Sequence, residues 1–353
     1  MKNIEGGGNG GDRGWGNGDN SGWANRDNKT YSGLGDEKVV NFTRAEKGFF
    51  LIQAMQEGQP RPWDYRKAPG FSEETIRADM HDLAKKERWI DRHDSIESTD
   101  EFVAMSEPLV ADTLGSPGIF RSRKHFAHLA TDYDDKIGGT DVVFGVEEKK
   151  THQWMVFSVD VASGTSPENV AGKFLSSEKT RERDDLTIPP YAASIHYCQY
   201  RDERWKALAV PHFILGLSPG GIARGVEHLS FNKDGLLLGS TPDFDTDFMI
   251  LSELQEQIEM QTIALQALSD SVDVAKQRDM IKSLSPAVGR SMATLFGLTP
   301  EQVKEDPSKL QARYAAEVAK HADDKTYHEI IEFARKRKKQ YRGKLAEMAR
   351  LSQ

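Results

Sequence analysis

The sequence has very little cysteine and no long apolar run. Cys198 is the only cysteine among 353 residues, which rules out an intramolecular disulfide and a zinc site built from several thiolates. No run of about 18 apolar residues is present, so no segment is predicted to cross a membrane, and residues 1–14 have no apolar stretch of the kind that a secretory signal needs. These absences predict a cytoplasmic protein without a membrane partner.

Motifs that mark several common enzyme classes are missing as well. The segment GLSPGG at residues 216–221 has neither the GK(S/T) ending of a P-loop nor the GxGxxG spacing of a dinucleotide-binding loop. No GxSxG nucleophile elbow occurs, and His152, His196 and His212 stand apart, without the spacing of a zinc site. These patterns offer no support for nucleotide-binding, serine-hydrolase or zinc chemistry.

Composition restricts the partners and the number of domains. The formal net charge is −8, so a surface that is basic all over is excluded, but a local basic patch is not. The length of 353 residues suggests about two domains, although one domain with attached segments is equally allowed. Residues 1–36 hold eleven of the 30 glycines and six asparagines, which predicts a disordered tail that buries too little surface to fold.

Residues 41–98 are predicted to form a small helical module. Thr43 and Glu46 have the spacing of a capping box at the start of a first helix. The second helix, SEETIRADMHDLAKKERWI at residues 72–90, resembles the recognition helix and strand entry of winged-helix DNA-binding domains. That resemblance implies a helix that reads a DNA groove, whereas an ordinary amphipathic helix explains the same pattern.

Residues 99–240 alternate between helical and β-rich segments. A capping signature at residues 98–101 opens a helix, and the runs TDVVFGV and WMVFSVDVA flank the polar connector EEKKTHQ, which predicts an antiparallel hairpin. A crossover helix after Ser166, strands at residues 193–200 and 207–218, and another helix follow. The order predicts an α/β fold with a central mixed sheet and flanking helices, plus helical N- and C-terminal extensions.

The hairpin register brings two acidic residues together. With the turn centred near Lys150, the numbers of paired residues sum to about 300 or 301, which sets Asp141 almost opposite Asp160. Cross-strand Cβ atoms lie about 4.5–5.5 Å apart, so the two carboxylates repel each other unless a cation sits between them. A hard divalent ion such as Mg²⁺, which prefers oxygen ligands, would reverse that cost.

The order of acidic residues resembles the PD-(D/E)xK arrangement of restriction endonucleases and of many repair and phage nucleases. One acid lies on the helix before the hairpin, one enters the first hairpin strand and one lies inside the second. The resemblance implies that Asp141 and Asp160 hold Mg²⁺, with Glu107 as an additional carboxylate. In that family the metal activates a water and stabilises the charge on a phosphodiester. The family's lysine stands two residues after the strand acid, where this chain has Ala162; Lys173 on the crossover helix is the candidate replacement.

Each of these residues also fits a structural role. Asp141 fits a turn or the end of a strand, and Glu107 and Lys173 fit solvated positions on helices. The acidic segment DYDD at residues 132–135 is predicted to be a solvated loop, with additional metal ligation as the alternative.

Residues 250–353 are predicted to form a helical C-terminal region with an apolar seam near its start. Such a seam needs a partner helix, either in a second chain, which gives a homodimer, or in the same chain. The seam residues follow one another at steps of three and four: Leu251, Leu254, Ile258, Gln261, Leu265, Leu268, Val272 and Ala275.

The last helix carries a basic strip that is predicted to bind nucleic-acid phosphates. A solvated helix end is the alternative, since cations near a helix C-terminus also interact favourably with the helix dipole. The strip consists of Arg335, Lys336, Arg337, Lys338, Lys339, Arg342 and Lys344.

Together these features lead to two hypotheses about function. The first is a Mg²⁺-dependent nuclease that cleaves DNA or RNA phosphodiesters, with Lys173 in the catalytic role. The second is a non-catalytic nucleic-acid-binding or scaffold protein that keeps the nuclease-like sheet and self-associates through residues 251–275. The two differ in the position of Lys173, which should lie beside Asp141 and Asp160 only if the site is built for catalysis.

Overall fold

A mixed sheet flanked by helices forms the centre of the protein. The computed structural model describes residues 41–93, 101–120, 123–163, 170–174, 191–201, 203–240, 243–268 and 271–351. The tail predicted at residues 1–36 lies outside the described residues. The strands are β1 (His125–Leu129), β2 (Val142–Glu147), β3 (Trp154–Ser163), β4 (Ala192–Tyr200), β5 (Glu203–Leu217), β6 (Leu229–Phe231) and β7 (Leu237–Ser240).

The main sheet has five strands in the order β1-β2-β3-β5-β4, and β6 pairs with β7 in a small second sheet. β3 and β5 run parallel, while the other neighbours in the main sheet are antiparallel. The predicted α/β class with a central mixed sheet is therefore confirmed. β1 is an addition to the predicted order, because HFAHL is short and has no clear alternation of apolar residues.

Helices cover the sheet and form most of the C-terminal part. None of the described helices combines the length and the apolar character needed to cross a lipid bilayer. Besides a 3₁₀ turn at Pro62–Tyr65, they are α1 (Arg44–Gly58), α2 (Glu73–His93), α3 (Glu101–Gly115), α4 (Asp132–Lys136), α5 (described at 170–174), α6 (Pro219–Glu227), α7 (Phe244–Gln266), α8 (Val272–Leu295), α9 (Pro300–Glu305), α10 (Pro307–Lys320) and α11 (Lys325–Leu351).

The hairpin of β2 and β3 has the predicted register. Val142 pairs with Val159, so the numbers of paired residues sum to 301. Buried side chains fix this register, because a slip by one residue would turn every apolar side chain to the other face. Asp141 directly precedes β2, and its N–H donates to the Val159 carbonyl at 2.8 Å. Asp141 and Asp160 therefore lie next to each other across the hairpin.

The end of helix α2 differs from the winged-helix prediction. Trp89 and Ile90 were expected to enter a strand, but the helix continues through them to His93. Its Ile76 packs in an apolar cluster with Tyr65 and Tyr197, which also places the helix against the core. The amphipathic interpretation of this helix explains the structure.

The C-terminal seam is also interrupted. α7 ends at Gln266, and α8 starts anew at Val272, which is 85% exposed although it was predicted as a seam position. The earlier seam positions, such as Leu254 and Ile258, are buried within the same chain, where α7 packs against β5, α8 and α11. The prediction of one continuous helix over residues 251–275 is therefore wrong. Burial of the seam residues within the same chain favours the intramolecular partner over a second chain.

Strand β5 reaches beyond β4, so among the described residues no strand pairs with part of one edge of β5. The pairing with β4 ends at Ala192 and Pro211, whereas β3 occupies the opposite edge from His212 to Leu217. Backbone N–H and C=O groups along that open edge need other partners, because unpaired buried polar groups are costly.

Side chains of α7 supply those partners at four-residue spacing. Four helical residues rise about 6 Å and two strand residues about 6.6 Å, so successive turns meet alternate strand residues. The hydrogen bonds are Gln257 Nε2 to Ile214 O (2.6 Å), Ile214 N to Gln257 Oε1 (2.9 Å), Gln261 Nε2 to His212 O (2.7 Å) and Gly216 N to Glu253 Oε2 (2.9 Å).

Replacing Gln257 with leucine should destabilise the protein by about 2–4 kcal/mol, because it leaves the N–H and C=O of Ile214 buried without partners. Urea denaturation of purified protein measures the change. Gln266→Leu, at the exposed end of the same helix, is the matched control and should stay within about 0.5 kcal/mol of wild type. Equal stabilities of the two variants would contradict this role of Gln257.

Candidate functional site

The hairpin and α5 bring two acids and a lysine to one place. The Lys173 ammonium donates hydrogen bonds to Asp160 Oδ1 and, at 2.8 Å, to the Val161 carbonyl. Its Nζ also lies 3.7 Å from Asp141 Oδ2. The side chains of Asp141 and Asp160 are 9% and 14% exposed, so both carboxylates meet the ammonium in a largely buried setting.

Local hydrogen bonds hold Asp141 in position. Its Oδ2 accepts the Val161 N–H at 2.6 Å, which ties the carboxylate to the backbone of β3. The preceding Thr140 hydrogen-bonds Ser158 through their hydroxyls at 2.8 Å, and Ser158 Oγ contacts His212 Nδ1 at 2.8 Å. This buried polar chain gives the loop before β2 a fixed attachment to β3 and β5.

Two further carboxyl groups border the site. Glu107 lies on α3, and its charge interacts with those of Asp135, Lys173 and Asp160. Asp135 lies on α4, and its carboxyl group is within hydrogen-bonding reach of that of Asp141. With all four carboxyl groups ionised and Lys173 protonated, the formal charge of the site is four negative plus one positive, or −3.

This excess of negative charge changes the pKa values of the groups in the site. Burial, followed by repulsion from Asp135, raises the pKa of Glu107 to about 7. Burial and the neighbouring Asp160 raise the pKa of Asp141 well above its usual range, against the opposing effect of Lys173. Burial by itself would lower the pKa of Lys173, but the surrounding carboxylates, Asp160 first, outweigh it and raise that pKa. The site therefore favours additional positive charge or bound protons.

The acidic segment at 132–135 is not the predicted solvated loop. It begins the helix α4, where Asp134 is fully buried and accepts the N–H groups of His196 and Tyr197 at 2.7 and 3.0 Å. Asp134 is thus structural, and Asp135, one residue on, faces the site. The sequence offered no signal that separates these two roles, because adjacent acids in a polar segment look alike.

Only part of the basic strip faces solvent. Arg335 donates to Glu256 at 3.1 Å, and Lys338 donates to Glu256 and Glu259 at 2.8 and 2.7 Å, so both residues hold α11 against α7. Arg337 is partly buried and donates to Gln340 at 3.0 Å. The exposed members of the strip are Lys336, Lys339, Arg342 and Lys344.

The Lys173 ammonium contacts both Asp141 Oδ2 and Asp160 Oδ1. The carboxylates around it do not gather as closely as metal ligands do: within the described part of the chain, the one group of three acidic or histidine side chains whose ligating atoms lie within 4.8 Å of one another is Asp245, Glu317 and His321. A cation that bound Asp141 and Asp160 together would take over contacts that Lys173 now makes. The residue types around Lys173 nevertheless suit a hard divalent cation, since Glu107, Asp135, Asp141 and Asp160 all carry carboxyl groups.

Comparisons with family models, with curated proteins and with solved structures find no match to this chain. The geometry and chemistry of the site are therefore the basis for a functional interpretation.

Replacing Glu107 with glutamine should stabilise the metal-free protein at alkaline pH. The pKa of Glu107 is raised from 4.5 to about 7 in the folded protein. The folded state therefore holds this proton more tightly than the unfolded state, and ionisation costs stability. The cost is absent below about pH 4.5 and complete above about pH 7. Glu107→Gln removes it, for a gain of about 2–3 kcal/mol at pH 8 and little change at pH 4.5.

Urea denaturation with a metal chelator, at pH 4.5 and pH 8, measures this difference. Glu347→Gln, an exposed position on α11, is the matched control and should show no such pH dependence. A Glu107→Gln protein no more stable than wild type at pH 8 would contradict the raised pKa.

Proposed function

We propose that the protein is a Mg²⁺-dependent nuclease with a restriction-endonuclease-like core. The observation that carries the proposal is the contact of Lys173 with both Asp141 and Asp160, although the lysine comes from a helix and not from the strand motif. A solvated helix lysine would not be expected in a largely buried site between two acids. The mixed sheet, with Asp160 inside the central strand β3, supports the same interpretation.

The side chains suit the proposed reaction. Asp141 and Asp160 would hold the metal, and Glu107 and Asp135 would complete its surroundings directly or through water. A bound Mg²⁺ supplies an activated water and stabilises the charge that develops on the phosphodiester. A bound cation would counteract the raised pKa of Glu107 and keep this carboxylate ionised, so that it would accept a proton from the attacking water. Lys173 provides a positive charge for a phosphate oxygen once the substrate is bound.

Replacing Asp160 with asparagine should reduce Mg²⁺-dependent cleavage of plasmid or single-stranded substrates by about 100-fold or more. Loss of the charge weakens metal binding and removes the main acidic partner of Lys173. Lys173→Met should cause a similar loss, because it removes the ammonium but keeps much of the apolar stem. Gel assays of DNA and RNA substrates with Mg²⁺ or Mn²⁺ measure both effects.

Asp82→Asn, at an exposed position on α2, is the matched control and should cleave like wild type. Equal cleavage by wild type and by Asp160→Asn would contradict the assignment of the site. The unfolding midpoint of each variant shows whether a loss of activity comes from the site or from a loss of folding.

A second candidate function is nucleic-acid binding without cleavage. The exposed lysines of the basic strip, Lys336 and Lys339, are available for phosphates on the outer side of α11. Binding through them needs no reaction at the carboxylates.

Replacing Lys336 and Lys339 together with glutamine should weaken binding to duplex DNA and reduce the slope of log K against log salt by up to about 2. Fluorescence anisotropy at several salt concentrations measures the slope. Lys149→Gln with Lys150→Gln, which removes the same charge from the exposed hairpin tip, is the matched control. Equal effects of the two pairs would indicate a general charge effect and would contradict a binding strip on α11.

A further inference from the structure

A second cluster of potential metal ligands lies where α10 meets α7. Glu317 is in the last turn of α10, His321 caps the end of that helix, and Asp245 is in the first turn of α7. The His321 Nε2 atom lies 3.6 Å from Asp245 Oδ1 and 3.5 Å from Glu317 Oε1. None of these residues belongs to the site around Lys173.

The imidazole of His321 is fixed with one nitrogen directed at the two acids. Its side chain is only 10% exposed. The ring stacks on Phe248, with centroids 5.7 Å apart and planes 25° apart, and meets Tyr327 edge-on at 5.9 Å. Nε2 is buried and has no hydrogen-bond partner among the described residues. A buried nitrogen without a hydrogen-bond partner lowers stability, and a bound ligand would remove that cost.

The distances fit metal coordination better than hydrogen bonding. Hydrogen bonds of this type span about 2.7–3.2 Å, which is shorter than the separations of 3.5 and 3.6 Å seen here. A tetrahedral ion with bonds of about 2.1 Å places its ligand atoms about 3.4 Å apart. One imidazole nitrogen and two carboxylate oxygens are also a common donor set for zinc and similar ions.

Two neighbouring cations contact the acids of this cluster. Arg224 approaches Asp245 from the Oδ2 side, at 3.9 Å, so Oδ1 is the oxygen directed at His321. Lys320 donates to both oxygens of Glu317, at 2.8 and 3.1 Å, but its side chain is 67% exposed. A metal ion on Glu317 Oε1 would displace this lysine into solvent at little cost, since exposed ion pairs contribute little to stability.

We propose that Asp245, Glu317 and His321 form a binding site for a divalent transition-metal ion of the zinc class. The ion fastens the end of α10 to the start of α7 and so holds the C-terminal helices to the core. Water completes the coordination, because the three side chains supply one ligand atom each. This site is independent of the proposed nuclease function.

Titration of metal-stripped, full-length protein with Zn²⁺ tests the proposal, with calorimetry for affinity and stoichiometry and thermal unfolding for stability. Co²⁺ absorption in the visible range gives the coordination geometry. Wild type should bind one Zn²⁺ at this site and unfold at a higher temperature. Asp245→Asn and His321→Gln should each weaken that binding at least about tenfold, whereas His81→Gln, at an exposed histidine on α2, should leave it unchanged.

Asp160→Asn separates this site from the one around Lys173 and should retain the Zn²⁺ affinity. If His321→Gln does not fold, Asp245→Asn still tests the site, since the Asp245 side chain is 39% exposed. Two results overturn the proposal: no Zn²⁺ binding by folded wild type, or Zn²⁺ binding by Asp245→Asn equal to that of wild type.

Discussion

The divided edge of β5 is the constraint on which the arrangement of the protein depends. One end of the strand pairs with β4, and the other pairs with β3 while presenting an open edge to α7. A helix cannot continue a ladder of backbone hydrogen bonds, so Glu253, Gln257 and Gln261 do so with side chains. Burial raises the pKa of Glu253 well above its usual range. The C-terminal helices are therefore joined to the sheet by specific polar contacts as well as by apolar packing.

The same sheet creates the charge imbalance of the candidate site. Asp160 lies within the buried strand β3, and the register of the hairpin places Asp141 beside it. Helices α3 and α4 add Glu107 and Asp135, while Lys173 is the positive group that these carboxylates share. Stability alone does not explain four carboxyl groups around one ammonium, because burial of like charges is costly. Sites that bind cations or transfer protons often carry such a cost.

Several of these features could be predicted from the sequence, and the reasons are physical. The runs TDVVFGV and WMVFSVDVA are two β-rich apolar segments around a polar connector, so the hairpin could be predicted locally, and the position of its turn predicted the register. The strand β1 was missed because five residues of mixed character carry too little pattern. The break between α7 and α8 was missed because the apolar spacing continues across it, although Val272 is exposed.

The class of fold and the proximity of Asp141 to Asp160 could be predicted from local pattern, because both depend on contacts between segments that are neighbours in the chain. Which other charged groups join the two acids depends on how distant helices pack. Lys173, Glu107 and Asp135 come from three different helices, and their distances from β3 depend on how those helices pack. The same holds for Arg335 and Lys338, whose ion pairs with α7 appear only once α11 has folded back onto it. Local pattern specifies which face of an element is buried, whereas packing selects the partner that each polar side chain meets.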